Sequence, residues 1–246
     1  MKIHFLGTMG WFDTKLGNTL CILVDTGSEY VIFDAGTGFS KIDNYIKDKR
    51  PIYLFLSHFH LDHIIGLHAL NKFSFSQGIN VFGPKGIKEM FSLVINTPYS
   101  MPIRKLKSKI KVTEINLKSK FPFDIKYKEL LHTTVCYGYR LAVGGSSVAF
   151  CTDTGPCKAI NALAGNTDVL IAESSLPPAI VDRGWPHLNP EQAAKAAKAS
   201  KAKKLVLVHF DAGNYRKESD IKLAEESARK IFKNTIAARD GFCFDI

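Results

Sequence analysis

The chain has 246 residues, 46% of them hydrophobic and 23% charged, a length and balance that build one sizeable core and exclude a disordered polar protein. Lysine and arginine outnumber aspartate and glutamate by 33 to 23, a net charge of +10, which favours anionic partners such as nucleotides, RNA or other phosphates. No uninterrupted apolar run approaches the length of a membrane span, so no membrane partner is expected.

In chain order, β-branched and aromatic runs bounded by turn residues predict strands at Lys2–Leu6, Leu20–Val24, Tyr30–Phe33 and Ile52–Leu56. Asp25-Thr26-Gly27-Ser28 reads as a hairpin turn, and Asp34-Ala35-Gly36-Thr37-Gly38 as a glycine-rich turn after a buried strand. Helices are expected at Lys41–Lys49, Ile64–Leu70 and Pro84–Ile95, and strands at Ile79–Phe82, Ile110–Leu117 and Ile125–Leu130. Tyr139–Val143 and Ser147–Cys151 read as a hairpin through Gly144-Gly145, followed by a buried strand at Asp168–Ala172. Asn189-Pro190-Glu191-Gln192 carries a cap, a first-turn proline and a capping-box glutamine, and starts a helix to about Ala202. A buried strand at Leu205–Phe210, a helix at Ser219–Phe232 and a terminal strand at Phe242–Phe244 complete the reading. Sheets must hide a face, so helices are expected to cover both outer sides of a two-sheet sandwich.

The first residues lack the apolar run and small-residue cleavage site of a secretory signal. The five cysteines (Cys21, Cys136, Cys151, Cys157 and Cys243) are scattered, with no C-x-x-C pair. A disulfide framework is therefore not expected, and a reducing cytoplasm is the default setting.

The strongest chemical signal is Ser57-His58-Phe59-His60-Leu61-Asp62-His63, directly after the strand Ile52–Leu56. Side chains two apart on extended backbone point the same way, so His58 and His60 can converge on one ion. The chain must then turn, which lets Asp62 and His63 reach a second ion beside the first. Imidazole and carboxylate suit zinc, and also manganese, iron or nickel. This motif alone leaves such a site short of ligands. His132, Asp153 and His209 each follow a predicted strand and are the remaining candidates.

This constellation resembles the metallo-β-lactamase superfamily over nearly the whole chain. The resemblance implies an α/β fold, the four-layer αββα sandwich, as one domain over residues 1–246. It implies two divalent metal ions, zinc first, with manganese or iron as alternatives. His58, His60 and His132 would hold one ion, Asp62, His63 and His209 the other, and Asp153 would bridge them, with a bridging hydroxide as nucleophile.

Within the superfamily the likeness is to the ribonuclease Z group of phosphodiesterases. Phe5-Leu6-Gly7-Thr8 with Gly17-Asn18-Thr19 resembles that group's N-terminal signature. Asp34–Gly38 resembles its D-C-G-E-G-T turn, His132–Arg140 its H-T-V-x-x-x-G-Y-R segment, and residues 152–157 its G-D-T-x-P-C segment. Glu173 and His187 match its H-E-x-T and H-x-T/S pair. By resemblance, the catalytic set is Asp62, Glu173 and His187. His187 would be a cationic imidazole outside the metal shell that neutralises developing charge or protonates the leaving oxygen, and Glu173 would orient it.

The sequence departs from the group in places. Only 21 positions separate His132 from Asp153 (153 − 132), just enough for a hairpin, so the long arm that grips tRNA in the bacterial enzymes is missing. The turn lacks the group's glutamate, Thr152 stands for its glycine, Ala172 for its histidine, and Leu188-Asn189 follows His187. Phosphodiester hydrolysis of RNA or a small, including cyclic, nucleotide is the expectation. A lactone or thioester hydrolase of the same fold is the alternative, and a non-catalytic metal-binding sensor ranks below both. The expected partner is a phosphate-bearing substrate, and a homodimer is left open. Arg104–Lys128 holds nine basic residues and reads either as a solvated face or as a phosphate-tracking surface. Trp11 and Phe12 either stack a base or pack, and His4 and His68 read as structural.

Overall fold

The computed structural model describes residues 1–182 and 184–246. In chain order the strands are β1 (Lys2–Gly7), β2 (Met9–Gly10), β3 (Cys21–Asp25), β4 (Tyr30–Phe33), β5 (Ile52–Phe55), β6 (Ile79–Gly83), β7 (Ile110–Glu114), β8 (Asp124–Glu129), β9 (Tyr137–Val143), β10 (Ser146–Cys151), β11 (Val169–Glu173), β12 (Lys204–Val208), β13 (Phe210–Asp211), β14 (Thr235–Ala237) and β15 (Cys243–Asp245). The α-helices are α1 (Leu61–Ile64), α2 (Ile87–Val94), α3 (Lys158–Ala164), α4 (Pro190–Ala199) and α5 (Glu218–Arg229).

Two sheets form, ordered β15-β1-β3-β4-β5-β6-β7 and β14-β12-β11-β10-β9-β8, with β2 and β13 pairing separately. The central strands are apolar on both faces, so each must be covered twice. On β4, Val31 and Phe33 join the core between the sheets, while Tyr30 and Ile32 join the core under the helical turns of the N-terminal half. On β12, Val206 and Val208 face the first sheet, whereas Leu205 and Leu207 pack against α4 and α5. Three apolar layers result, and the architecture is the expected α/β, four-layer αββα sandwich.

The capped helix forms as the residues dictate. Asn189 Oδ1 accepts from the Gln192 backbone N–H at 2.9 Å, and Gln192 Oε1 accepts from the Asn189 N–H at 3.0 Å. Gly144 and Gly145 both sit at positive φ in the β9–β10 turn, a conformation a two-residue hairpin demands.

Other expectations shift. The helix expected at Lys41–Lys49 is instead a 3₁₀ segment at Thr37–Asn44, because Phe39, Ile42 and Tyr45 recur every three residues, the 3₁₀ period. The helix expected from Ile64 starts at Leu61 as α1 and continues as 3₁₀ over Ile65–Lys72. The helix expected from Pro84 begins only at Ile87, since Gly86 at φ 92° breaks the path. The strand expected at Ile110–Leu117 stops at Glu114. Helix α3 was not anticipated, although Pro156 and Gly165 bracket it and Ile160, Leu163 and Ala164 form its buried face. Strands β2, β13 and β14 are two or three residues long, too short to show a period.

What matters for chemistry is one rim. Strands β4 and β5 run parallel, as do β10, β11 and β12. The start of β9 meets the end of β5, where Tyr137 N–H donates to Ser57 O at 2.9 Å. The carboxyl ends of five strands thereby gather on one side, the usual place for a site in a layered α/β fold. No helix among the described residues is long and apolar enough to cross a membrane.

Candidate active site

All seven side chains read as candidate ligands converge on this rim. Asp34, Asp153 and His209 follow β4, β10 and β12 with φ of 58°, 53° and 54°. Left-handed backbone is unfavourable for residues with a Cβ, and its concentration at one rim marks a constrained site. The positive φ turns the chain sharply as each strand ends.

The seven sort into two groups that share Asp153. Ligand atoms of His58, His60, His132 and Asp153 lie within 4.8 Å of one another, as do those of Asp62, His63 and His209. In the first, His58 Nε2 is 3.7 Å and His132 Nε2 4.0 Å from Asp153 Oδ2, and His132 Nε2 is 3.4 Å from His60 Nδ1. In the second, Asp153 Oδ1 lies 3.1 Å from His63 Nε2 and 3.2 Å from His209 Nε2. Asp62 Oδ2 is 3.4 and 3.2 Å from the same two nitrogens. Asp153 therefore turns one oxygen to each group.

These spacings fit divalent cations. Four ligands about 2.0–2.2 Å from a central ion stand about 3.4 Å apart along the edges of a tetrahedron. His58 Nε2 is buried with no hydrogen-bond partner, a costly state for a polar atom unless its lone pair has a use. The tautomer agrees. Ser57 Oγ donates to Asp34 Oδ2 at 2.8 Å and so accepts from His58 Nδ1–H at 2.9 Å, leaving Nε2 unprotonated toward the site. His63 Nδ1 likewise donates to Asp34 Oδ2 at 2.8 Å and presents Nε2. Such an outer carboxylate fixes ring orientation and raises ligand basicity. The arrangement is that of a divalent-metal site.

Asp34 was not singled out as a site residue. Its signal was available, since it follows a buried strand as His58, Asp153 and His209 do. It anchors the cluster twice, once directly and once through Ser57, whose backbone N–H also donates to its Oδ1 at 2.6 Å. Two further anchors were equally unforeseen. The Trp11 backbone N–H donates to Asp62 Oδ2 at 2.8 Å, and Thr152 Oγ1 donates to Asp153 Oδ1 at 2.8 Å. Gly10 is required where it stands, because a Cβ there would lie 2.6 Å from the His209 ring.

Charge divides the groups. Burial pushes His58 well down and lowers His60, and it takes His132 to about 4. Burial also works against charge at His63 and His209, but Asp153 and Asp62 outweigh it and raise both. Burial would raise Asp62 and Asp153, yet the facing imidazoles hold both carboxyls far below their ordinary range. The first group is thus poised as neutral donors, while in the second protons compete with a cation for the same lone pairs.

His187 adjoins the two groups, its ligand atom within 4.8 Å of those of Asp153 and His209, and Glu173 lies behind it. Glu173 was expected after the strand and is instead the last residue of β11, fully buried. Its two oxygens stand 3.0 and 2.9 Å from His187 Nδ1, and Oε1 also accepts from the Thr154 backbone N–H. Burial disfavours a charged His187, but the Glu173 carboxylate prevails and lifts its pKa to about 9. His187 lines the same cleft as His60, Asp62, Asp153 and His209. Trp185 closes one wall, its ring 6.0 Å from the His60 ring and nearly parallel to it.

Asp168 sits at the opposite end of β11, bonded to Lys203 at 2.7 Å and to the Ser147 N–H at 2.7 Å, in keeping with a strand-start role. His4 packs on Tyr45, and His68 bonds to Ile65 O on the surface. The nine basic residues of 104–128 are all exposed.

A model of the β-lactamase superfamily domain matches residues 22–210. The chain belongs to the β-lactamase superfamily. Among curated members, the ribonuclease Z of Bacillus velezensis is 27% identical, covering 98% of this chain and 97% of that protein. That alignment runs over 304 positions, 58 more than this chain has residues, so the relative carries segments with no counterpart here. Among solved structures, the metallo-β-lactamase fold protein YhfI from Bacillus subtilis superposes with a TM-score of 0.83 at 22% identity, covering 99% and 98% of the two chains. The short form of human tRNase Z gives 0.76 at 22% identity over 100% and 99%. The superfamily fold and the likeness to ribonuclease Z both agree with the reading of the sequence.

Proposed function

We infer that the chain is a metal-dependent phosphodiesterase. The observation that carries this reading is the His187–Glu173 pair set beside the double donor group. His58, His60 and His132 would hold one cation, Asp62, His63 and His209 a second, and Asp153 would bridge, with zinc the first choice for such donors. When bound, the cations supply a nucleophile at neutral pH and neutralise phosphate charge.

The chain's own groups do the rest. Glu173 engages His187 Nδ1 and holds the imidazole charged at neutral pH. Nε2–H, which has no partner among the described residues, is then the donor left on a ring that lines the cleft. Such a donor neutralises charge on a phosphoryl oxygen and gives its proton to the departing oxygen. Asp62, tied to the Trp11 N–H, is held toward His63 and His209 in the cleft, where it would orient a bound nucleophile.

The likeness to ribonuclease Z and the net charge of +10 support a nucleotide or RNA phosphodiester as substrate. The shorter chain, with 21 positions between His132 and Asp153, favours a small or single-stranded substrate over precursor tRNA. Residues 1–246 are taken as one domain acting in the cytoplasm.

The test is a substrate panel on protein reconstituted with zinc or manganese. Bis-p-nitrophenyl phosphate, 2′,3′-cyclic nucleotides, cAMP, short RNA, a lactone and a thioester belong on it. Turnover of the phosphodiesters is the expected result. Hydrolysis of the lactone or thioester with none of the phosphodiesters sinks the reading and moves the chain to the rival branch of the superfamily.

A further inference from the structure

Trp11, Phe12, Leu61 and Ile65 are large apolar residues that the fold leaves 55%, 54%, 70% and 45% exposed. They are neighbours. Together with Asp13 and Asp62 they line a groove of about 320 Å³. Trp11 and Asp62 also line the active-site cleft, so groove and cleft adjoin. A contiguous exposed apolar patch of this kind marks a binding surface rather than ordinary exposure.

We propose that this groove seats a nucleobase of the substrate, with Asp13 reading the exocyclic amino group. The proposal deepens the phosphodiesterase reading and rests on it. Trp11 adopts φ 72°, a conformation uncommon for a bulky residue. Its backbone N–H holds Asp62 while its ring stands at the cleft mouth, 6.3 Å from the Trp185 ring. A base stacked there would lie beside Asp62, which lines the cleft with His187. Aromatic platforms accept any base, because every base has a π-face.

The polar edge of the groove favours a heterocycle over an acyl chain. Asp13 Oδ1 accepts from Thr37 Oγ1 at 2.6 Å and from the Thr19 N–H at 3.2 Å. Both donors fix the carboxylate on the groove wall, and Oδ2 takes no partner among the described residues. An acceptor held in place beside a stacking surface suits cytosine or adenine, which carry an amino group, better than uracil. An aliphatic chain has no use for it.

Trp11 and Trp185 are the two tryptophans of the sequence, so tryptophan emission excited beyond the tyrosine band reports on this region alone. The experiment titrates the metal-reconstituted protein with CMP, UMP, ribose 5-phosphate and hexyl phosphate. CMP should bind roughly tenfold tighter than ribose 5-phosphate, the size of one stacked base, and several-fold tighter than UMP. In Asp13→Asn the side-chain oxygen keeps its two donors and an amide N–H₂ replaces Oδ2, so the preference should invert toward UMP. Phe12→Ala should weaken CMP and leave ribose 5-phosphate unchanged. Equal affinity for CMP and ribose 5-phosphate overturns the proposal, as does hexyl phosphate matching CMP. Retention of the CMP preference in Asp13→Asn overturns the role of Asp13. The outcomes separate from those of the parent reading. Base discrimination without phosphodiester turnover sinks the chemistry and keeps the subsite, and turnover without base discrimination does the reverse.

Discussion

The two donor groups at the rim are built from similar residues and behave differently. The His58/His60/His132 group draws its donors from loops after β5 and β8, and the imidazoles of His58 and His132 are fully buried. Burial makes its imidazoles neutral, ready to bind a cation with little proton release. The Asp62/His63/His209 group is buried throughout and carries its own carboxylate. It is anchored by Asp34 and by the Trp11 N–H, and the acids beside its histidines outweigh burial and shift their pKa upward. The contrast teaches that position in the fold, rather than residue type, sets what a histidine does here. Asp153 is the one candidate ligand that turns an oxygen to each group.

That comparison can be broken most severely at Asp153. Replacing it with Ala removes an oxygen from each group at once. Metal content, measured by atomic emission, should fall toward zero and turnover to background. Retention of one ion per chain would show that the groups are independent.

Asp34→Ala is expected to come next, weakening metal affinity by about 10- to 100-fold, the usual cost of losing an outer partner of a ligating histidine. Because Asp34 holds His63 directly and His58 through Ser57, both groups should loosen. Ser57→Ala should touch only the first. Competition with a chromogenic chelator reads both variants.

A smaller effect sharpens the contrast by pH. Binding at the second group must expel protons from histidines whose pKa is raised, so its affinity falls as pH drops. The first group's histidines have lowered values, with His132 at about 4, and compete with protons only at much lower pH. Between pH 8 and pH 6 one ion should leave well before the other in a titration followed by metal analysis. Loss of both together contradicts the assignment of charge to the second group.

The smallest effect lies away from the rim. Asn189→Ala removes the cap of α4 and should cost about 1 kcal/mol, read by thermal denaturation, with metal content unchanged.

Much of the fold and of the convergent His/Asp donor set was legible in the residues. The H-x-H-x-D-H run is dense enough to stand out locally, and strands apolar on both faces announce a layered sandwich. The capping box at Asn189 and the Gly144-Gly145 turn are local chemistry and formed as expected. What was not legible depends on contacts across the chain. Asp34 reaches Ser57 and His63, 23 and 29 positions away. Trp11 meets Asp62 across 51. Glu173 was placed beyond its strand because a carboxylate on a buried strand has no local rationale, and its reason is His187, held on a separate segment. The 3₁₀ turns and two-residue strands escaped for want of a period long enough to read.

His187, its pKa lifted by Glu173, is the proposed proton donor in phosphodiester cleavage. The most direct test is His187→Ala assayed on two substrates of one metal-reconstituted preparation. One has a p-nitrophenolate leaving group that needs no proton, and the other a ribose alkoxide that does. The variant should keep full metal content, with a modest loss on the first substrate and a loss larger by about 10²-fold or more on the second, the typical worth of general acid catalysis. Equal losses on both substrates, or loss of metal from the variant, would contradict it.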